Sequence, residues 1–133
     1  MITAPEAHHI LAAGEEKAIA LGVPVNIALL DPGAHLKAFI RMDGAVLGSI
    51  DLAMKKARTA VLFETTSEAV WEYCKPGAPA HGLELSNGGL APFAGGITLK
   101  GRGGETLGAI GVSGGTVPQD LEIAAAAVAA CNR

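Results

Sequence analysis

The chain has 133 residues, of which 50% are hydrophobic and 17% are charged, and its formal net charge is −3. This length suits a single domain covering residues 1–133, large enough to bury a core without disulfides or a metal. The acidic balance and the few aromatic residues (three Phe, one Tyr and one Trp) argue against nucleic-acid binding, and no apolar run reaches the ~18 residues that a membrane span needs.

The first predicted element is a helix that begins after Thr3 and ends at Gly22. Thr3 and Glu6 have the spacing of a capping box, and apolar residues then recur at helical spacing. His8 and His9 lie on this helix, and because they are adjacent their side chains point about 100° apart. They therefore cannot share one ligand face, and for each of them a solvated position competes with a ligand-binding one.

Two apolar runs joined by turn residues predict a β-hairpin. The runs cover residues 25–30 and 35–42, and Asp31-Pro32-Gly33 between them is a typical turn sequence. Strand alternation places four polar or aromatic side chains on one face: His35, Lys37, Phe39 and Arg41. This face is either solvated or a wall for an anionic, partly aromatic ligand, with the cations binding carboxylates and Phe39 stacking.

Two helices are predicted after the hairpin. Asp43 is the expected N-cap of the first, whose apolar residues form one stripe: Leu47, Ile50, Met54, Ala57 and Val61. Thr65 and Glu68 have the spacing of a capping box for the second helix. Lys56 belongs to the densest basic cluster of the chain, with Lys55 and Arg58. Lys56 is either an ordinary lysine that extends its amine to solvent or a functional group in a pocket. In the second case its amine would bind a carboxylate or act as a general base with an altered pKa.

Residues 77–96 form a long segment rich in glycine and proline, and a loop of this length in a compact domain is usually functional or disordered. His81 lies in it, with Glu84 near enough in sequence to orient it. His81 is therefore a candidate for acid–base chemistry, although an exposed loop histidine without a role fits the same pattern. Gly95 and Gly96 permit positive φ and close packing, and the same freedom would let backbone N–H groups meet a ligand.

The pattern is completed by a second hairpin over residues 97–100 and 105–112 and by a last helix from Pro118 towards Ala130. Thr116 and Gln119 have the spacing of a capping box for this helix. The predicted order is α-β-β-α-α-β-β-α. Hairpins pair antiparallel strands, so we expect an α+β fold in which helices flank an antiparallel sheet. The low charged fraction of 17% predicts a homo-oligomer that hides apolar surface. The two cysteines fit no disulfide or metal motif, which favours a reducing, cytoplasmic setting.

Several motifs, in chain order, resemble the GlcG/HbpS family. Gly108-Ala109-Ile110-Gly111-Val112-Ser113-Gly114-Gly115, followed by Gln119-Asp120, is similar to the closing signature of that family. Gly95-Gly96-Ile97 resembles its double glycine before a strand, and Leu83-Glu84-Leu85-Ser86-Asn87-Gly88-Gly89 resembles its glycine loop. The likeness covers nearly the whole chain and extends to the C-terminal domain of PduO-type proteins. One departure is Thr98, where the family often has proline.

The resemblance implies a profilin-like fold, symmetric oligomers, and binding of haem or a related tetrapyrrole, with haem degradation as a further role. It also implies an accessory position beside catabolic pathways. His8, His9 and His81 then become candidate axial ligands of a haem iron. The wider set of candidate ligand-binding residues is His35, Phe39, Arg41, Lys56, His81, Gly95 and Gly96.

Two other function classes stay open at this point. One is a catabolic isomerase, lyase or hydrolase that acts on an organic acid, with His81, Lys56 or Arg41 in acid–base roles. The other is an accessory oligomer with no ligand of its own. No nucleophile elbow, phosphate loop or zinc spacing dictates a reaction. The few aromatic residues and the lack of an axial-ligand motif count against haem.

The sequence also suggests where a ligand would bind. Arg41 ends one strand and Lys56 lies in the helix that follows, so a short connection could bring both to one sheet edge. The loop that carries His81 is long enough to fold over that edge and exclude water, which would strengthen ionic contacts. We therefore predict that a planar or carboxylate-bearing ligand binds against Arg41, Lys56 and this loop.

Overall fold

The structure, a computed structural model, describes residues 1–131, so the last two residues of the predicted domain 1–133 lie outside the described residues. Its elements are α1 (Ala4–Leu21), β1 (Asn26–Leu30), β2 (Leu36–Arg41), α2 (Gly48–Phe63), α3 (Ser67–Cys74), a 3-10 turn (Leu83–Leu85), β3 (Gly96–Lys100), β4 (Thr106–Ser113) and α4 (Val117–Ala129). The four strands form one antiparallel sheet in the order β2-β1-β4-β3. The predicted α+β class and element order are confirmed.

Helices cover both faces of the sheet. α1 and α4 pack on one face around a core cluster that includes Ile10, Leu11, Ile27, Ile110 and Ile123. α2 lies on the other face, over β1, β3 and β4, with a smaller cluster of Leu30, Ala57, Ala60, Val61 and Ala109. α3 packs beside α2 and against β3, at the end of the sheet where the glycine-rich loop begins.

Local signals identify the ends of α1 correctly. The Glu6 N–H donates to Thr3 Oγ1 at 3.2 Å, and the Thr3 N–H donates back to the Glu6 carboxylate at 3.3 Å. Gly22 closes the helix with a φ of 71°, a left-handed conformation that glycine adopts without steric cost. α4 begins with the same reciprocal arrangement between Thr116 and Gln119.

The predicted starts of α2 and α3 are wrong. Asp43 lies in a turn closed by the Ala45 N–H and the Met42 carbonyl, and α2 begins after Leu47 without a side-chain cap. Thr65 still donates its N–H to the last turn of α2, so the cap of α3 falls one residue later, at Thr66. In both places a short turn intervenes where the sequence pattern suggested an immediate helix.

The predicted apolar stripe of α2 is buried only in part: Ala57 and Val61 are buried, whereas Ile50 and Met54 are half-buried. Leu47 is 66% exposed, and the buried face consists mainly of small residues together with one lysine: Ser49, Ala53, Lys56, Ala57, Thr59, Ala60 and Val61. The helix backbone lies so close to the sheet that a Cβ on Gly111 would overlap the Ala53 carbonyl. Larger side chains would not fit between the two backbones, so alanines take this face.

A β-bulge interrupts β2. Ala38 pairs with Leu29, but the next pair joins Leu36 to Leu30, which leaves Lys37 without a partner in the register. A bulge of this kind reverses the side-chain alternation on one side of it. Leu36 therefore lies on the α2 side of the sheet, whereas the sequence pattern had placed it with Ala38.

Candidate functional site

Four of the five aromatic side chains lie around α3. One hollow of about 620 Å³, here called the Tyr73 hollow, lies between α3, the end of α2 and the loop; it is lined by Phe63, Thr65, Ala69, Val70, Glu72, Tyr73, Ala80 and Leu83. A second hollow of about 470 Å³ lies on the other side of α3, with Trp71 and Phe93 among its lining residues. The scarce aromatic residues are thus concentrated on one part of the surface.

α3 exposes these rings because only one side of it packs inward. Ser67, Val70 and Cys74 are its buried residues, whereas Trp71 is 40% and Tyr73 is 60% exposed. Exposed aromatic side chains gathered at concave surface are typical of ligand-binding or protein-contact surfaces.

His81 lies next to the Tyr73 hollow, between Ala80 and Leu83 of its lining. Its Nδ1 lies 3.0 Å from the carbonyl oxygen of Cys74, the last residue of α3. A carbonyl oxygen can only accept a hydrogen bond, so Nδ1 carries a proton, and in the neutral ring the lone pair is then on Nε2. A histidine fixed in this way can ligate a metal or accept a proton through Nε2.

Glu84, the expected partner of His81, is placed differently. One of its carboxylate oxygens, Oε1, is buried and has no hydrogen-bond partner among the described residues. Burial first, and then the nearby Glu84 carboxylate, raise the pKa of the Cys74 thiol. Cys74 itself is fully buried in a small cluster with Val70 and Leu90, and a raised pKa favours the protonated, less reactive thiol.

Lys56 lies in a buried ion pair. Its Nζ donates to the Asp120 carboxylate at 3.0 Å and to the Val112 carbonyl at 2.9 Å, and the Lys56 and Asp120 side chains are each only 4% exposed. The other Asp120 oxygen accepts the Gly115 N–H at 2.8 Å. Burial raises the pKa of the Asp120 carboxyl, although the Lys56 ammonium and the hydrogen bonds oppose this rise. The pair joins α2, β4 and α4.

The double glycine packs against this pair. Gly95 has a φ of 127°, and a Cβ there would lie 3.2 Å from Lys56 Nζ. A Cβ on Gly96 would overlap the Lys56 carbonyl, and the Gly96 N–H already donates to Ser67 Oγ at 2.9 Å. Close packing accounts for both glycines, and the Gly96 N–H is occupied within the protein.

The bulge in β2 divides the predicted ligand-binding face. His35 and Lys37 line a hollow of about 310 Å³ beside the Asp31 turn, where His35 Nδ1 lies 3.4 Å from Asp31 Oδ1. Phe39 and Arg41 pair with Ala28 and Asn26, on the side of the sheet that α2 covers. Arg41, Lys56 and His81 are absent from the lining of the hollow beside the Asp31 turn and of the two hollows beside α3, so none of these three hollows brings the predicted partners together. His8 and His9 are both exposed on α1.

Basic side chains of α2 lie beside the glycine-rich loop at a fourth hollow of about 390 Å³, here called the Arg58 hollow. It is lined by Leu30, Ala34, Leu36, Asp51, Met54, Lys55, Arg58, Asn87 and Gly88. Arg58 donates to the Asn87 carbonyl of the loop, and Lys55 lies 3.2 Å from Asp51. In the sequence, Lys55 and Arg58 stand out as part of a basic cluster, and Asp51 has the spacing to pair with Lys55 one helical turn later, as the structure shows.

Two further findings concern the described residues as a whole. Within residues 1–131 no helix combines the length and the apolar character that crossing a membrane would take. In the same part of the chain, no group of three or more His, Cys, Asp or Glu side chains is arranged to hold a metal ion.

Comparison with known proteins gives a consistent result. A family model described as "Haem degrading protein HbpS-like" matches residues 2–129. The crystal structure of Klebsiella pneumoniae protein ORFY superposes with a TM-score of 0.93 at 33% identity, over 97% of this chain and 89% of that one. A crystal structure of a PduOC:heme complex superposes with a TM-score of 0.90 at 38% identity, over 96% and 92%.

A curated relative is much longer than this chain. The corrinoid adenosyltransferase PduO of Salmonella typhimurium is 40% identical over 126 residues, which are 94% of this chain. The chain spans only 37% of the length of that protein.

Proposed function

Since the protein belongs to the HbpS-like family, we propose that it binds haem or a closely related tetrapyrrole. A relative that is 38% identical over nearly the whole chain is described in complex with haem, which supports the proposal. The observation that carries it is the gathering of four of the five aromatic side chains around α3, with His81 beside the larger hollow.

The residues around the Tyr73 hollow fit a tetrapyrrole in two respects. Phe63, Tyr73 and Leu83 offer apolar contact to a flat macrocycle, and His81 Nε2 offers a neutral nitrogen ligand. The hollow also contains a carboxylate, Glu72, but Lys75 pairs with it at 2.6 Å and offsets its charge. Haem, when bound, would supply a redox-active iron; Phe63, Tyr73 and Leu83 would contact the macrocycle and His81 would ligate the iron through Nε2.

We also propose that the protein works as a homo-oligomer. Large apolar side chains are exposed at the start of α2, where Val46 is 63% and Leu47 is 66% exposed. Apolar surface of this kind is usually covered by a partner in solution. Light scattering should then give a mass of at least two chains, and a monomer at micromolar concentration would contradict this part of the proposal.

Haem degradation, a cytoplasmic location and an accessory role beside a catabolic pathway complete the proposal. The family description names degradation, and both cysteines are free thiols, as expected in a reducing compartment. Degradation is tested by following the absorption of the haem complex with a reductant and oxygen present. A progressive loss that needs the protein supports it, and a loss at the rate of free haem contradicts it.

Haem titration followed by absorption spectroscopy tests the binding proposal. The wild type should bind haem with a shifted Soret band, and His81→Ala should weaken binding and abolish the spectrum of the nitrogen-ligated iron. His8→Ala and His9→Ala test the other two candidate ligands, and His35→Ala is a control for loss of an exposed histidine. An unchanged spectrum in His81→Ala, with a loss in His8→Ala or His9→Ala, would place the haem on α1 instead.

A further inference from the structure

We propose that the Arg58 hollow is a binding site for a small organic monocarboxylate with a short apolar chain. The hollow lies between α2, the end of β1 and the loop, and it shares no lining residue with the Tyr73 hollow. The proposal therefore stands whether or not the protein binds haem.

The charge of the hollow favours one carboxylate. Lys55 and Arg58 contribute two positive charges and Asp51 one negative charge, so the hollow is net positive in a chain whose net charge is −3. One N–H of the half-buried Arg58 guanidinium donates to the Asn87 carbonyl, which fixes the planar group at the rim. Its other N–H groups can bind both oxygens of a carboxylate at once.

The floor of the hollow is apolar. Leu30 is only 3% exposed, and Ala34, Leu36 and Met54 surround it. Leu36 reaches this side only because of the bulge at Lys37, which moves it opposite Leu30. A hydrocarbon chain that lies over this floor is removed from water, so affinity should rise with chain length.

The loop supplies a fixed wall. Asn87, Gly88 and Gly89 all have positive φ, at 54°, 75° and 104°, and this tight bend directs the Asn87 carbonyl to Arg58. The Ala91 N–H donates to Thr59 Oγ1 at 2.9 Å, which ties the following residues to α2. These two hydrogen bonds to α2 hold the wall in place, which lowers the cost of ordering the loop around a ligand.

Asp51 determines the selectivity of the site. Its carboxylate lies 3.2 Å from Lys55 Nζ, in competition with a bound carboxylate, and it would repel a second acidic group on the ligand. A monocarboxylate should therefore bind better than a dicarboxylate of equal length. A neutral amide of the same shape should bind more weakly, because it forms no charge-assisted hydrogen bond with Arg58.

Titrations followed by backbone amide NMR shifts test the proposal, with acetate, butyrate, hexanoate, adipate and hexanamide as probes at constant ionic strength. We expect hexanoate to shift residues 34–36, 51–58 and 86–89, and to bind about tenfold more tightly than hexanamide. Affinity should increase about threefold for each added CH₂. Equal binding of hexanoate and hexanamide, or shifts confined to the Tyr73 hollow, would overturn the proposal.

Three variants make the test specific. Arg58→Gln should weaken hexanoate binding about tenfold, and Asp51→Asn should strengthen it about threefold by releasing Lys55. Lys17→Gln is the matched control, because it removes one positive charge from an exposed pair with Glu122, on the opposite face of the sheet. Equal weakening by Lys17→Gln, or weaker binding by Asp51→Asn, would contradict the site.

Two further comparisons separate loss of this site from a disturbed loop and from a failure of haem binding. If Arg58→Gln disturbs the loop, the gain in Asp51→Asn and the comparison of acid with amide still decide the question. His81→Ala should leave hexanoate binding unchanged, so a failure of haem binding and a failure of this site would be seen separately.

Discussion

Two consecutive lysines on α2 have opposite environments. The Lys55 side chain is 37% exposed and pairs with Asp51, one helical turn earlier, at 3.2 Å. The Lys56 side chain is 4% exposed and pairs at 3.0 Å with Asp120, which is 64 positions away in sequence. Because consecutive helix positions are rotated by about 100°, one lysine borders the Arg58 hollow and the other lies between helix and sheet.

The comparison teaches that neighbouring residues of one charge cluster can differ completely in burial, one holding the core together and the other free to contact solvent. An exposed ion pair contributes little to stability, because water and salt screen it. A buried charge is strongly disfavoured once its partner is removed. Lys56 should therefore matter to folding, whereas Lys55 should matter to what binds at the surface.

The largest expected effect is from Lys56→Met. It leaves the Asp120 carboxylate buried without its ammonium, so the free energy of unfolding should fall by about 3–5 kcal/mol. Urea denaturation of wild type and variant measures this loss. The double variant Lys56→Met with Asp120→Leu should recover most of it, and a single-variant loss below about 1 kcal/mol would show that the pair is not structural.

Gly96→Ala should have the next largest effect. Its Cβ would overlap the Lys56 carbonyl and lie 2.7 Å from Ser67 Oγ, so we expect a loss of about 2 kcal/mol in the free energy of unfolding. Gly48→Ala is the control, since a Cβ at Gly48 has no atom within 4 Å and alanine favours the helix. An unchanged melting temperature in Gly96→Ala would refute the packing argument.

Two aspartates should give opposite pH dependence of stability. Burial raises the pKa of Asp120 above its ordinary 3.8. Between pH 3.8 and the raised pKa, the folded protein therefore binds more protons than the unfolded chain. The free energy of unfolding should fall as pH rises through this window. The hydrogen bond from the His35 backbone N–H lowers the pKa of Asp31 below 3.8. The contribution of Asp31 to the free energy of unfolding is therefore present above pH 3.8, and it is lost as pH falls through the lowered pKa.

Urea denaturation over the acid range, with Asp120→Asn and Asp31→Asn, separates the two effects. When the free energy of unfolding is plotted against pH, Asp120→Asn should remove the fall with rising pH, and Asp31→Asn should remove the loss with falling pH. If Asp120→Asn changes the pH dependence in the same direction as Asp31→Asn, the assignment of burial as the dominant influence on Asp120 is wrong.

The smallest expected effect is from Lys55→Gln. Its exposed pair with Asp51 should contribute less than about 0.5 kcal/mol to the free energy of unfolding. A loss comparable to that of Lys56→Met, in the same urea measurement, would abolish the distinction between the two lysines.

Short-range chemistry made part of the local structure predictable, although the caps expected at Asp43 and Thr65 were wrong. The reciprocal caps at Thr3 and Thr116 involve residues three positions apart, and both are confirmed. The buried pair of Lys56 and Asp120 joins residues 64 positions apart, and no local pattern reports it. The alanine face of α2 escaped prediction for a related reason: it depends on Gly111, which belongs to a strand far along the chain.

The candidate site was predictable only in outline. The loop and His81 were identified from its glycine content and length, but the bond from His81 to the Cys74 carbonyl depends on how the loop folds back on α3. The bulge at Lys37 separated His35 from Phe39 and Arg41, and alternation alone cannot reveal a bulge. The clustering of Phe63, Trp71 and Tyr73 was visible in the sequence, but the return of Phe93 to α3 is a tertiary feature, because the loop brings it back from a later segment.

The measurement that tests the central claim most directly is chemical rescue of a His81→Gly variant. The account predicts that this variant loses the haem spectrum of the wild type, and that added imidazole restores it by replacing the missing ring. His35→Gly should behave as wild type throughout. A His81→Gly variant that binds haem with the wild-type spectrum before imidazole is added would contradict the claim that His81 holds the iron.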